Sequence, residues 1–532
     1  MDESNGKPDP ATSPFRLALA SWIHGGPAPK WQLSEQADVP PTFGPVSYLE
    51  VGCGRGENIL PLAFYDRAGF YVGLDPKPQW VDLARDAAAS LGLTNIRFDV
   101  LSSAAPSAEG TFDVVVVRDL LARVPEPVAH HLLARCVDVL AENGLVYTDY
   151  PVLPGAGQDA LMRELLIGLA GEKGPAAERV ERALSGTNAL RALLGGPEQP
   201  YHRLLAAELE GLAQIPPTEV WSRYFLPSDG DGQRLAPRAF YHREVVEKAA
   251  RAGLRYVCDA GWNKPGAYIP PALRGELTRL GMTGTALEQA LDILGNKRSR
   301  ASVFCRAEAL PAEEPGPVVL DMLRITSSLR PVNNVPNLDP GAEEPFADAA
   351  GRKIGSSDPL LKASLLVLRE EWPEPLTFAQ LIGSAVAVLR SRGADGEPND
   401  EQLAGVARDL WTLHARGFVE LYPLAPTFQR GSAPKLHTLA RHEGTFGSTL
   451  TTPFHTEFAP QGFDAAVVRR MAQDTNETTL IAGLVASILS GEVPLELGGV
   501  RLTDPTLVEP IARGLWSRSL ATLGRLGLLE GS

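Results

Sequence analysis

The stretch YLEVGCGRG at residues 48–56 constrains this chain more than any other: an aliphatic and β-branched run breaks into glycines at alternate positions and leads into a helix-like segment. That order reads as a strand, a tight turn and a helix N-terminus, the place where an α/β sheet binds a nucleoside. Lacking a Cβ, Gly52, Gly54 and Gly56 let the backbone turn at positive φ and let a ligand approach the main chain closely. A second run, FYVGL at 70–74, ends in Asp75, where a carboxylate at a strand's tip accepts both hydroxyls of a ribose. The GxGxG spacing, with Glu50 ahead of it, differs from the GxGxxG that seats a pyrophosphate. The adenosyl cofactor expected here is therefore S-adenosylmethionine rather than a dinucleotide.

The segments that follow extend the sheet. Helical patterning over 79–91 leads to a strand at 96–100, a buried strand DVVVV at 113–117, a helix at 132–140 and a fifth strand at 145–149. Much later, a helix over 241–252 ends at Gly253 and is followed by strands at 254–258 and 302–306, which supply the last two strands of the same sheet. The expected fold class is α/β, a Rossmann-like seven-stranded sheet interrupted by a helical insert, plus a C-terminal, mostly helical region that is winged-helix-like. The boundaries are an N-terminal extension at 1–43, a cofactor-binding domain at 44–155 and 238–310, and an insert at 156–237 placed as a lid over the crevice. Residues 311–359, rich in proline, glycine and glutamate, read as a linker that pairs locally at most, and 360–532 form the C-terminal region. There, helices at 360–372, 378–390 and 400–416 precede a short strand at 417–422, the order of a winged helix. The echo of ARDLW at 407–411 in ARGLW at 512–516 is read as helical composition rather than duplication.

At 532 residues the chain exceeds one core, and its net charge of −14 disfavours nucleic acid and anionic membranes as general partners. The four cysteines are scattered, without a CxxC pair or a secretory framework, and the nine histidines show no metal-ligand spacing, so no metal is expected. No apolar run reaches the ~20 residues of a membrane span, and the N-terminus MDESNGKPDP is not a leader, which gives a cytoplasmic expectation. A homo-oligomer is compatible with all of this.

Beyond these readings, the chain resembles the bacterial protein lysine methyltransferases that carry a methyltransferase regulatory domain. The resemblance rests on LEVGCGRGENILPLA (49–63), LGLTNIRF (91–98), YHREVVEKAARAGLRYVCDA (241–260), ALEQALDILGNKRSRASVFCR (286–306), LLKASLLVLREEWPEPLTFAQLIGSA (360–385) and HTLARHEGTFGSTLTTPFH (437–455), in order along the chain. It implies a class I S-adenosylmethionine-dependent methyltransferase acting on a protein or peptide side chain, a lysine amine above all. Gly52, Gly54 and Gly56 would face the methionine half of the cofactor, with Asp75 at the ribose. Ser102 stands where the resemblance leads one to expect an acidic residue at the adenine amine, RDLLARVP at 118–125 lacks expected aromatic residues, and Pro151 replaces an expected asparagine.

Methyl transfer from a sulfonium needs the nucleophile aligned with the methyl at near-attack distance, and a lysine amine must first be neutral. Asp119 and Tyr150, both expected at strand tips facing the methyl, are the candidates for orienting the nucleophile or passing its proton to water. Glu50, Gly52, Gly54, Gly56, Asp75, Ser102 and Arg118 form the expected cofactor-binding set. Two other readings keep parts of this picture: the same reaction on a small molecule or natural-product intermediate, and a non-catalytic cofactor-binding interaction module. In all of them the sheet carries the cofactor, while the insert and the C-terminal region choose the acceptor.

Overall fold

The structure is a computed structural model that describes residues 8–27, 31–32, 42–43, 45–101, 110–118, 120–194, 199–215, 217–225, 238–261, 271–312, 316–394, 396–422, 434–446, 449–497 and 500–530. Its centre is a seven-stranded sheet built from β1 (Ser47–Val51), β2 (Phe70–Asp75), β3 (Ile96–Val100), β4 (Phe112–Val117), β5 (Leu140–Pro151), β6 (Leu254–Asp259) and β7 (Ser299–Arg306), in the order β3-β2-β1-β4-β5-β7-β6. The first five strands run parallel, and β7 is antiparallel to both β5 and β6. Strand order reverses between β1 and β4, which opens the ligand crevice beyond their carboxyl ends.

Both faces of the sheet are covered, which is why its central strands read as unbroken apolar runs. Period-two alternation sends Tyr48, Tyr71, Val116, Tyr147 and Val303 into one buried cluster with the helices Ile59–Tyr65 and Pro78–Ser90. It sends Leu49, Val72, Val115, Val146, Tyr150 and Phe304 into the opposite cluster with the helices Glu126–Val139 and His242–Arg251. The late strands complete the sheet as the sequence suggests.

Between β5 and the helix His242–Arg251 the chain makes four helices, Gly155–Ala170, Ala176–Leu194, Pro200–Ala213 and Pro217–Tyr224. They bury a core of their own, including Met162, Leu166, Val180, Leu209 and Val220. The insert leaves and re-enters at one point, since Leu153 N–H donates to the Phe240 carbonyl at 2.9 Å and Phe240 N–H to that of Pro151 at 3.0 Å.

Two expectations are corrected. The segment expected as a linker, 311–359, contributes Val319, Leu320, Leu323, Ile325, Phe346 and Ile354 to the buried core of the C-terminal region. Its strand Arg324–Thr326 is the central one of a sheet with Leu376–Thr377 and Glu420–Tyr422. That strand completes the winged-helix-like unit of the helices Pro359–Glu371, Phe378–Ser391 and Asp400–Ala415. The residues that reach the core lie in one short run, 319–325, and singly at Phe346 and Ile354, among prolines and glycines that composition alone reads as loop. Nor is the N-terminal stretch a detached extension: the helix Pro14–Ile23 places Leu17, Ala18 and Ala20 in the core of the large sheet and Leu19 in the C-terminal core.

A second C-terminal core holds Leu436, Val467, Leu484, Trp516 and Leu528, drawn largely from the helices Thr438–Phe446, Gly462–Met471, Glu477–Ser490 and Pro505–Arg525. The echoed pentapeptides end at Trp411 and Trp516, but the glycines that close the two helices, Gly417 and Gly527, lie at unequal distances beyond them. Among the described residues no helix is long and apolar enough to cross a membrane.

Candidate active site

The turn after β1 is folded by its own backbone: Gly52 N–H and Cys53 N–H both donate to the Leu74 carbonyl, at 2.8 and 3.1 Å. Gly52, Gly54 and Gly56 adopt φ of +86°, +57° and +86°, the left-handed region. They are glycines for different reasons. A Cβ on Gly56 would meet Leu60 and Phe98 at 3.0 Å, whereas one on Gly54 would meet nothing nearer than the Glu57 carboxylate at 3.6 Å. The space above Gly54 is a cradle that a side chain would fill.

Asp75 ends β2 beside that cradle and accepts the Gly54 N–H at 3.0 Å and the Lys77 N–H at 2.9 Å. Burial raises its pKa, and the two backbone donors oppose that shift. Each oxygen keeps acceptor capacity for a ribose hydroxyl. The Lys77 ammonium sits 3.6 Å from the Trp80 ring centroid, closing the same side of the turn.

At the other side of the turn lies a buried polar cluster. Glu50 is only 1% exposed, accepts the Asn58 side-chain N–H at 3.1 Å and stands 3.9 Å from the Arg118 guanidinium. Burial pushes its pKa up to about 7, with Arg118 and Asn58 pulling the other way. Burial by itself would lower the Arg118 pKa, but Glu50, Asp149, Tyr147 and Asp9 hold the guanidinium charged. Tyr147 donates its hydroxyl to Asp9 at 2.8 Å, and Asn58 Oδ1 accepts the Asp9 N–H at 2.8 Å. Three acidic side chains, Glu50, Asp149 and Asp9, thus act on one guanidinium.

Glu50, Gly52, Gly54, Gly56, Asp75 and Arg118 are therefore brought to one mouth. Ser102 and Asp119 lie outside the described residues. Tyr150 is a correction: it is 2% exposed in the opposite cluster, where its hydroxyl lies 2.8 Å from both His242 Nδ1 and Ser302 Oγ. A strand turns alternate side chains to opposite faces, so Tyr147 and Asp149 lie on the face that carries the glycine-turn helix and Tyr150 on the opposite one, against the helix His242–Arg251. Period-two counting along β5 would have found that pair. Nothing local in the sequence points to Asp9 or Asn58. Among the described residues no cluster of His, Cys, Asp or Glu is arranged to hold a metal ion.

A sheet of this order, a GxGxG cradle and an acidic tip on the next strand define a methyltransferase domain, and residues 49–144 match the family model described as a methyltransferase domain. The chain is an S-adenosylmethionine-dependent methyltransferase. Residues 236–306 match the predicted methyltransferase regulatory domain. Over its length the chain is similar in fold to PKMT2 from Rickettsia typhi, with a TM-score of 0.80, 19% identity and 99% of each chain covered. The same protein in complex with AdoHcy superposes with a TM-score of 0.79, again at 19% identity and 99% coverage of each chain. An uncharacterized protein of Rickettsia prowazekii is 21% identical over 509 residues, 93% of this chain and 86% of its own length. A 2-heptyl-1-hydroxyquinolin-4(1H)-one methyltransferase of Mycobacteroides abscessus is 37% identical over 116 residues, 21% of this chain and 48% of its own.

Proposed function

We propose that the chain methylates a lysine amine on a protein or peptide. The observation that carries this reading is the charge around Arg118, where Asp9 and Asp149 outnumber one guanidinium without counting the buried Glu50, a surplus of negative charge that suits an ammonium arriving from solvent. The full-length likeness to PKMT2 supports it from a second direction.

When bound, the cofactor supplies an electrophilic methyl on a sulfonium. Gly54 allows its close approach, Asp75 receives the ribose hydroxyls, and Glu50 takes its α-ammonium. Asp149, half-buried at the rim, orients the incoming amine and passes its proton to water. Tyr147 is held protonated by burial and serves as a donor that fixes Asp9, not as a base. Aligning the amine with the methyl at near-attack distance is the main catalytic demand.

Incubating the enzyme with a bacterial lysate and isotopically labelled cofactor, followed by mass spectrometry of proteins and small molecules separately, tests the proposal. Label on protein lysines is expected. Label confined to small molecules would overturn it in favour of a small-molecule methyltransferase.

A further inference from the structure

The helix that follows the glycine turn, Ile59–Tyr65, is gripped at both ends by one stretch of the C-terminal region. At its start, Asn58 Oδ1 lies 3.2 Å from His455 Nε2 and also accepts the Asp9 N–H at 2.8 Å and the Thr12 hydroxyl at 3.1 Å. The Asp9 backbone N–H can only donate, so it fixes the orientation of the amide, whose nitrogen must face Glu50, to which it donates at 3.1 Å. At the other end the Tyr65 hydroxyl donates to the Thr451 carbonyl at 2.7 Å and lies 3.0 Å from His437 Nε2. The His437 ring stacks on Phe64 with centroids 5.3 Å apart.

His437, Thr451 and His455 all belong to the helix Thr438–Phe446 and the hairpin of Leu450–Thr451 with Glu457–Phe458, or to their flanks. His455 sits at the hairpin's tip with φ of +53°, a left-handed conformation that a residue with a Cβ adopts at a cost. The side chain is 4% exposed, and its Nδ1 finds no hydrogen-bond partner among the described residues. A neutral ring with its proton on Nε2 satisfies this geometry, since that nitrogen then donates to Asn58 and the bare Nδ1 needs no acceptor. Burial, which drives the ring's pKa down to about 3, agrees with that state.

We propose that residues 437–446 and 449–455 are a built-in clamp on the cofactor site, in which His455, acting through Asn58 on Glu50, is a positioning residue for the methionine end of S-adenosylmethionine. The inference rests on the glycine turn as the cofactor's seat. Through the clamp, the C-terminal region sets cofactor affinity as well as contributing surface. Three stretches distant in sequence, the N-terminal Asp9–Thr12, the glycine-turn helix and the C-terminal hairpin, meet on a single oxygen.

Full-length His455→Leu, which removes the donor, is expected to bind S-adenosylhomocysteine about tenfold more weakly by calorimetry, the size of one hydrogen bond in a charged network. The KM for S-adenosylmethionine should rise by a similar factor while kcat changes little. His455→Gln, whose amide N–H reaches toward the same oxygen, should recover most of the loss. Wild-type affinity in the Leu variant, or a Gln variant as weak as Leu, would overturn the clamp. A measurement on the wild type guards against misfolding: S-adenosylhomocysteine should slow amide hydrogen exchange at 449–458 as well as at 50–58. Slowing at 50–58 alone would overturn the clamp and leave the cofactor site standing. Slowing at neither would overturn both.

Discussion

Gly54 and Gly56 look alike in the sequence, yet the structure predicts that their alanine variants fail in different ways. A Cβ in the left-handed region costs roughly 1–2 kcal/mol, and the reduced freedom of the unfolded chain returns about 0.4–1 kcal/mol of it. At Gly54 that is the whole cost to the fold, because the nearest atoms to the new methyl are at 3.6 and 4.0 Å. Gly54→Ala should therefore be destabilised by only about 1 kcal/mol. At Gly56 the methyl also presses on Leu60 and Phe98 at 3.0 Å. Overpacking adds about 1–3 kcal/mol, for a total of roughly 2–4 kcal/mol. Binding separates the variants in the opposite sense, since the Gly54 methyl stands in the cradle itself. At a ligand concentration of about 100 Kd the wild type gains about 2.7 kcal/mol from binding; a hundredfold loss of affinity leaves about 0.4 kcal/mol. Thermal unfolding with and without S-adenosylhomocysteine reads both effects at once. Gly54→Ala should melt near the wild type and lose most of the ligand-induced rise, whereas Gly56→Ala should melt clearly lower. A Gly54→Ala protein that keeps the full ligand-induced rise would show that the cofactor does not occupy the cradle.

Tyr150→Phe should retain turnover and lose about 1 kcal/mol of stability, because its hydroxyl serves only His242 and Ser302 behind the sheet. Asp149→Asn should instead lower kcat with cofactor affinity near that of the wild type; a folded Tyr150→Phe protein without activity would refute the assignment of faces along β5. Stability should also fall at both ends of the pH range, as urea unfolding between pH 4 and 9 will show. Burial drives His242 down to about 2, His455 to about 3, and His437 and His414 to about 4, so the unfolded chain takes up their protons first and stability is lost as pH falls below ~6.5. Glu50 has the opposite sign: burial raises it to about 7, so its contribution is complete below ~4.3 and is lost as pH rises through 7. Glu50→Gln should flatten the alkaline limb of the apo protein, and an unchanged limb would show that Glu50 is not buried as a titrating acid.

What was legible in the sequence was what the backbone demands locally. A strand, a left-handed glycine turn and an acidic tip are neighbours in sequence because they are neighbours in space, and the strands at 254–258 and 302–306 carry their own apolar pattern. A position at a strand's end does not say which face Tyr150 takes; alternation from Tyr147 puts it opposite. The strand Arg324–Thr326 was hidden because Ile325 pairs with Leu376 and Leu421, both far away in sequence, and its flanks are loop-like in composition. Asn58 and His455 leave no periodic trace at all. Their meeting depends on a hairpin almost four hundred residues away reaching the glycine-turn helix.

The division of labour expected from the sequence, with cofactor chemistry in the sheet and acceptor choice elsewhere, does not come with separate cores. Leu439 of the C-terminal region is buried in the same cluster as Tyr48, Ile59 and Ala63, beneath the glycine turn. Leu17 and Leu19, neighbours on one short helix, enter the cores of the sheet and of the C-terminal region respectively. A cut near residue 311 would leave every strand of the sheet in place, yet it would open an apolar slot at Leu439 and strip Asn58 of the His455 donor. Burying a large aliphatic side chain is worth about 1.5–3 kcal/mol, so losing Leu439 is a substantial fraction of the stability of a typical domain. Through the proposed clamp the far end of the chain holds the helix of the glycine turn, which ties the C-terminal region to the cofactor site.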